Sequence, residues 1–92
     1  MIFHITTHEA WSAATDMYRT GDEEFIHFSF ASQLAATAGR HYAGVRDMIV
    51  LSVDESGLDV RVEDGFPHLY EPVPVCAVLD VTPLEEALES GG

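Results

Sequence analysis

Asp47-Met48-Ile49-Val50-Leu51-Ser52-Val53-Asp54-Glu55-Ser56-Gly57-Leu58-Asp59-Val60-Arg61-Val62 is the stretch on which the fold class turns. Met48-Ile49-Val50-Leu51 is a continuous apolar run of the kind a central strand shows. Glu55-Ser56-Gly57 reads as a turn, and Leu58 to Val62 then alternates as a half-exposed hairpin partner. Phe66 to Tyr70 is short and extended, Pro72 and Pro74 interrupt the ladder, and Val75 to Val81 forms a last strand. Four late strands with no helix between them predict an α+β fold with a mixed or antiparallel sheet, not a doubly wound parallel one.

Upstream, Ile2-Phe3-His4-Ile5-Thr6 is a β-type run. Thr7 can cap a helix from about His8 to Arg19, with Ala10, Ala13, Ala14 and Met17 as its buried stripe and Trp11 and Tyr18 at the edge. Gly21 ends it, and Asp22-Glu23-Glu24 is a solvated loop. Phe25-Ile26-His27-Phe28-Ser29 is a second strand. The Ala-rich segment Phe30 to Tyr42 favours helix, although Gly39 weakens its end. Thr82-Pro83 opens a terminal helical turn to about Leu88, with proline at the first helical position. The expected order is β-α-β-α-β-β-β-β-α in one domain over 1–89, with 90–92 as a tail.

The chain has 92 residues, a 47% apolar share and a net charge of −12 from 4 Lys+Arg against 16 Asp+Glu. That is one globular domain, not a disordered acidic tail. All four cations are arginine, so a duplex nucleic acid or an anionic membrane surface is a poor partner. No run approaches the ~20 apolar residues of a membrane span. Met1-Ile2-Phe3-His4 shows no signal-peptide pattern, so a cytoplasmic location is expected. Homodimerisation would supplement the modest stability of so short a domain.

Three strands share one pattern. His4 is followed two residues later by Thr6, His27 by Ser29, and His68 by Tyr70. Strand side chains alternate, so each imidazole shares a face with a hydroxyl, while Phe3, Ile5, Ile26, Phe28 and Leu69 take the opposite faces as core. If the strands adjoin, the three faces converge on one pocket, with Gln33, Arg40, His41 and Tyr42 at its rim. Otherwise each histidine is a hydrogen-bonded strand residue. Arg40 can anchor an anion through its guanidinium fork, or it can simply face solvent at a helix C-terminus.

Three imidazoles and a water could make a zinc site, but no C-x-x-C spacing is present and the one H-x-x-x-H match, His4-Ile5-Thr6-Thr7-His8, crosses from the strand run into the helix cap, so no metal is expected. Cys76, among Val75, Ala77 and Val78, reads as a buried and inert thiol. No G-x-S-x-G, G-x-G-x-x-G or P-loop motif occurs. Glu71 alternates away from His68 and Tyr70; it is a solvated turn acid, or a catalytic carboxylate if the prolines twist the chain.

Ile2-Phe3-His4-Ile5, Phe25-Ile26-His27-Phe28-Ser29 with Gln33, Arg40-His41-Tyr42-Ala43-Gly44, Asp47-Met48-Ile49-Val50-Leu51 and Phe66-Pro67-His68-Leu69-Tyr70 occur in that order. Together they resemble the bacterial family called domain of unknown function 952. That family is similar, more distantly, to the ADP-ribosyltransferase fold, which binds NAD in a cleft between two small sheets. The resemblance implies His4, His27 and His68 as the reacting groups, with Thr6, Ser29, Gln33, Arg40, Tyr42 and Tyr70 around the ligand. His4 matches the first-strand His of those enzymes, and His27 stands where a Tyr would fall. His68-Leu69-Tyr70-Glu71-Pro72 surrounds the place of the late-strand Glu. Ile5 replaces the glycine that follows the first His, and Ala38 replaces an aromatic, with Tyr42 one turn further on. The implied ligand is nucleotide-like or ribose-containing, with an NAD-like molecule as the model. The competing reading is a non-catalytic acidic protein-interaction module.

Overall fold

The computed structural model describes residues 1–19, 24–41 and 47–90. Strand β1 (Ile2–Thr7) leads into helix α1 (His8–Ser12), and the short strands β2 (Met17–Tyr18) and β3 (Ile26–His27) follow. A 3₁₀ turn at Ala31–Gln33 opens helix α2 (Leu34–His41). Strands β4 (Met48–Val53), β5 (Val60–Glu63), β6 (Phe66–Leu69) and β7 (Val73–Pro74) come next, then β8 (Val78–Pro83) and helix α3 (Leu84–Ser90). All strand pairs are antiparallel, which resolves the expected mixed-or-antiparallel sheet.

The apolar run of β4 is buried at every position, and β4 lies between β1 and β8. Its alternate residues feed two cores. Ile49, Leu51 and Val53 meet Ile2, Tyr18, Phe28 and Leu69 on one face. Met48 and Val50 meet Ile5, Leu34, Ala38 and Leu84 on the other. A second sheet has the order β3-β6-β5. The two sheets join at their edges through an antiparallel bridge between Phe3 and Ser29, with N–H···O distances of 2.9 and 2.7 Å.

The structure corrects several local expectations. Thr7 caps α1 as anticipated, its hydroxyl accepting the Ala10 N–H at 3.0 Å, but the helix stops at Ser12. Ala10, Ala13 and Met17 are exposed instead of forming a buried stripe, while Tyr18 is only 2% exposed. Burying one phenol ring removes far more apolar surface from water than burying a row of alanine methyls, so the chain unwinds to deliver Tyr18 to the core. The partner of β5 is β6, not β4. Asp64 and Gly65 join them with φ values of 54° and 84°, as the type I′ turn favoured by an Asp-Gly pair requires.

Pro74 does not end pairing but sits in β7 opposite Met17, and Val75–Ala77 is a 3₁₀ turn, not strand. Cys76 is consequently exposed, not buried. Strand β8 extends through Pro83, so α3 begins one residue later than expected and runs to Ser90, into the expected tail. The expected Gly21 helix end and the acids Asp22 and Glu23 lie outside the described residues, as do Tyr42 and the segment around it; Glu24 is exposed. No helix among the described residues is long and apolar enough to cross a membrane.

Candidate functional site

The bridge between Phe3 and Ser29 brings the polar faces of β1, β3 and β6 beside the helical segment 31–41. Together they line a cleft of about 950 Å³, at the upper end of the size usual for small-molecule sites. His4, Thr6, His27, Ser29 and His68 all reach it, so the three histidine strands do adjoin. His27 and His68 are directly paired across the β3–β6 ladder, with ring centroids 5.2 Å apart and planes at 87°. The helical wall contributes Ser32, Gln33, Ala36, Thr37 and Arg40, a set at i, i+1, i+4, i+5 and i+8 that occupies one helical face.

The three imidazoles differ in their partners. His4 is 7% exposed, and both of its ring nitrogens are used inside the protein. Nδ1 donates to the His27 carbonyl at 2.7 Å, because a carbonyl can only accept. Nε2 is hydrogen-bonded to the Tyr18 hydroxyl at 3.0 Å, and that hydroxyl is 2.6 Å from Thr6 Oγ1. His4 and Thr6 therefore act as struts at the cleft floor, holding β3 and β2 against β1. His27 is exposed on the wall. His68 is 9% exposed, lies under the Phe25 ring at 4.4 Å, and donates from Nδ1 to Glu63 Oε1 at 3.0 Å.

Glu63 also accepts the Tyr70 hydroxyl, and these two donors hold its carboxyl below the usual range, the tyrosine bond contributing most. The same bond pushes the Tyr70 phenol above its ordinary value. Tyr70 is not part of the cleft lining; it stands behind Glu63, with the Arg61 guanidinium 4.3 Å over its ring. Ser29 donates to Thr37 Oγ1 at 3.1 Å, and Arg40 reaches the cleft from an exposed position. Gln33 is a brace: its Oε1 accepts the Phe30 N–H at 3.0 Å and its Nε2 donates to the Gly65 carbonyl at 2.7 Å. Glu71 is outside the cleft lining and caps the β5–β6 ribbon by accepting the Asp59 N–H at 2.7 Å.

Glu63, Asp64, Phe25, Phe66, Ser32 and Thr37 are cleft residues that the strand pattern did not single out. For Glu63 the signal was present. The Asp64-Gly65 pair fixes a two-residue hairpin, and that register puts Glu63 opposite Phe66 and diagonal to His68 on one face. No group of three His, Cys, Asp or Glu side chains able to hold a metal ion occurs among the described residues.

The protein CC0527 from Caulobacter crescentus is similar in structure. Its crystal structure superposes with a TM-score of 0.80 at 27% sequence identity, covering 89% of this chain and 83% of that one. Its solution NMR structure gives a TM-score of 0.74 at 26% identity, over 89% and 82% of the two chains. No curated protein matches the sequence. The model of the family described as "Protein of unknown function (DUF952)" matches residues 5–81. The chain, from the first histidine-bearing strand to the last strand of the central sheet, belongs to the DUF952 family.

Proposed function

We propose that the cleft binds a nucleotide-like or ribose-containing small molecule, in an arrangement resembling a degenerate ADP-ribosyltransferase. The observation that carries this reading is the convergence of His27, Ser29, His68 and Arg40 on one cleft between two small joined sheets. Imidazoles and hydroxyls suit the vicinal hydroxyls of a sugar, and a guanidinium suits a phosphate oxygen pair. Ala38 faces the second core at 3% exposure and offers no stacking surface. Phe25 and Phe66 on the opposite wall supply aromatic faces for a base or pyridine ring instead. His4, with both nitrogens committed, takes a supporting role rather than that of a reacting group.

A two-dimensional ¹H–¹⁵N titration with NAD, ADP-ribose, AMP and nicotinamide tests the reading. Saturable shifts grouped at His27, Ser29, Arg40 and His68 are expected. No shift at millimolar ligand overturns it. The net charge of −12 favours one other reading, an acidic module docking a basic protein, in which the cleft plays no part.

A further inference from the structure

The base of this cleft is set by a residue on the β5–β6 hairpin that carries no histidine pattern of its own. We propose that Glu63 is a positioning residue which makes His68 Nε2 the proton acceptor of the cleft, so that the ligand meets this end through a hydroxyl group. The inference rests on the ligand reading above for the ligand's chemistry, but its geometry stands independently.

A carboxylate can only accept, so the 3.0 Å contact from His68 Nδ1 to Glu63 Oε1 places the ring proton on Nδ1. Nε2 is then the nitrogen with a lone pair. Among the described residues no buried side-chain nitrogen or oxygen lacks a partner, and His68 lines the cleft. Nε2 carries no hydrogen bond within the protein, so it is open to solvent on a ring that lines the cleft. The ring is also held in orientation, by the Phe25 face at 4.4 Å and an interplanar angle of 21° on one side, and by His27 edge-on.

Glu63 is itself braced. Tyr70 donates to the same Oε1, and Arg61 covers the Tyr70 ring while its Nη2 pairs with Asp59 Oδ2 at 3.2 Å. A carboxylate fixed behind an imidazole does two things. It selects one tautomer, and it stabilises the imidazolium that forms if the ligand's hydroxyl proton moves to Nε2. An anionic group would be opposed here by Glu63 and Asp64, whereas a hydroxyl donates into this site without penalty. The anionic part of the ligand belongs at the Arg40 wall.

The test uses the intact protein and the conservative variants Glu63→Gln and Tyr70→Phe. Side-chain ¹⁵N spectra at about pH 9, well above the ordinary imidazole range, read the His68 tautomer. The wild type should show one tautomer with the proton on Nδ1. Glu63→Gln should lose that single state, since an amide can serve either ring nitrogen, and Tyr70→Phe should retain it. Histidine-selective acylation supplies the second readout. His68 should react and His4 should be protected, with the His68 rate falling several-fold in Glu63→Gln. A wild-type proton on Nε2, or an unchanged tautomer and acylation rate in Glu63→Gln, would overturn the proposal. A released tautomer in a protein that binds no nucleotide-like ligand would uphold the pair and remove only the ligand reading.

Discussion

His4 and His68 are two histidines of nearly equal burial, 7% and 9% exposed, on the same cleft, and they do different work. His4 spends both nitrogens on the protein, one on a backbone carbonyl and one on a buried phenol. His68 spends one nitrogen on a half-exposed carboxylate, and its ring lines the cleft. Burial and position within a strand do not separate the two imidazoles; the identity of the partners does. A fully partnered ring resists change, because removing it strands polar groups in the core. A half-partnered ring can exchange its remaining hydrogen bond for one to a ligand.

The largest effect that would break this contrast is on His4. His4→Ala leaves the His27 carbonyl and the Tyr18 hydroxyl each short of a partner and opens a void beside Phe28, so a loss of roughly 2–5 kcal/mol is expected in urea unfolding. His68→Ala should cost about 1 kcal/mol by the same measurement, since its bond is to an accessible carboxylate, while abolishing the ligand-induced shifts at His27. Equal losses for the two variants would erase the distinction.

Tyr18→Phe sharpens the His4 side. It removes the hydroxyl shared by His4 Nε2 and Thr6 Oγ1 with no change in ring packing, and about 1–3 kcal/mol should be lost. A midpoint indistinguishable from wild type would mean that His4 Nε2 finds water. Gly65→Ala tests the His68 side from the backbone. A side chain at φ +84° is strained even though nothing stands within 4 Å of the added carbon, so about 1 kcal/mol is expected. The turn that places Glu63 should loosen with it, and His68 tautomer signals should broaden while those of His4 remain sharp.

The smallest effect is in pH dependence, because Glu63 and Tyr70 are solvent-accessible. Glu63 is lowered from 4.5, so its contribution is present above that value and is lost as pH falls through the depressed one. Tyr70 is raised from 10.0, so its contribution is present below that value and is lost as pH rises through the elevated one. Tyrosinate absorbance should show the Tyr70 phenol ionising late, and Glu63→Gln should return that step toward its ordinary range. An unaltered titration curve in that variant would remove Tyr70 from the bracing of Glu63.

Much of the scaffold is legible because it rests on local pattern. Met48 to Val53 has too many consecutive apolar residues to lie anywhere but between two covered faces, and β4 is central. Thr7 is a cap because its hydroxyl needs only the N–H three residues on. Periodicity misleads where two patterns compete. Ala10, Ala13, Ala14 and Met17 fit a helical stripe, but the tertiary gain from burying Tyr18 exceeds what that helix would return. Val75 to Val81 reads as one strand, yet the chain must turn at 75–77 to pass from the β2–β7 ribbon to the edge beside β4.

The sequence by itself determined that His4, His27 and His68 share strand faces with hydroxyls, since alternation is a property of the extended backbone. The Asp64-Gly65 pair held the signal for Glu63 beside His68, although the alternation of Leu58 to Val62 pointed to β4 as the partner strand. Only the tertiary structure decided that these faces meet, because the meeting depends on the Phe3–Ser29 bridge between segments 26 residues apart in the chain. It also decided that both His4 nitrogens bond within the protein, because α1 ends at Ser12 and leaves Tyr18 in β2 beside that ring. A side-chain hydrogen bond is fixed by distances of about 3 Å between groups that chain connectivity leaves free to be anywhere, and packing alone selects which of them come together.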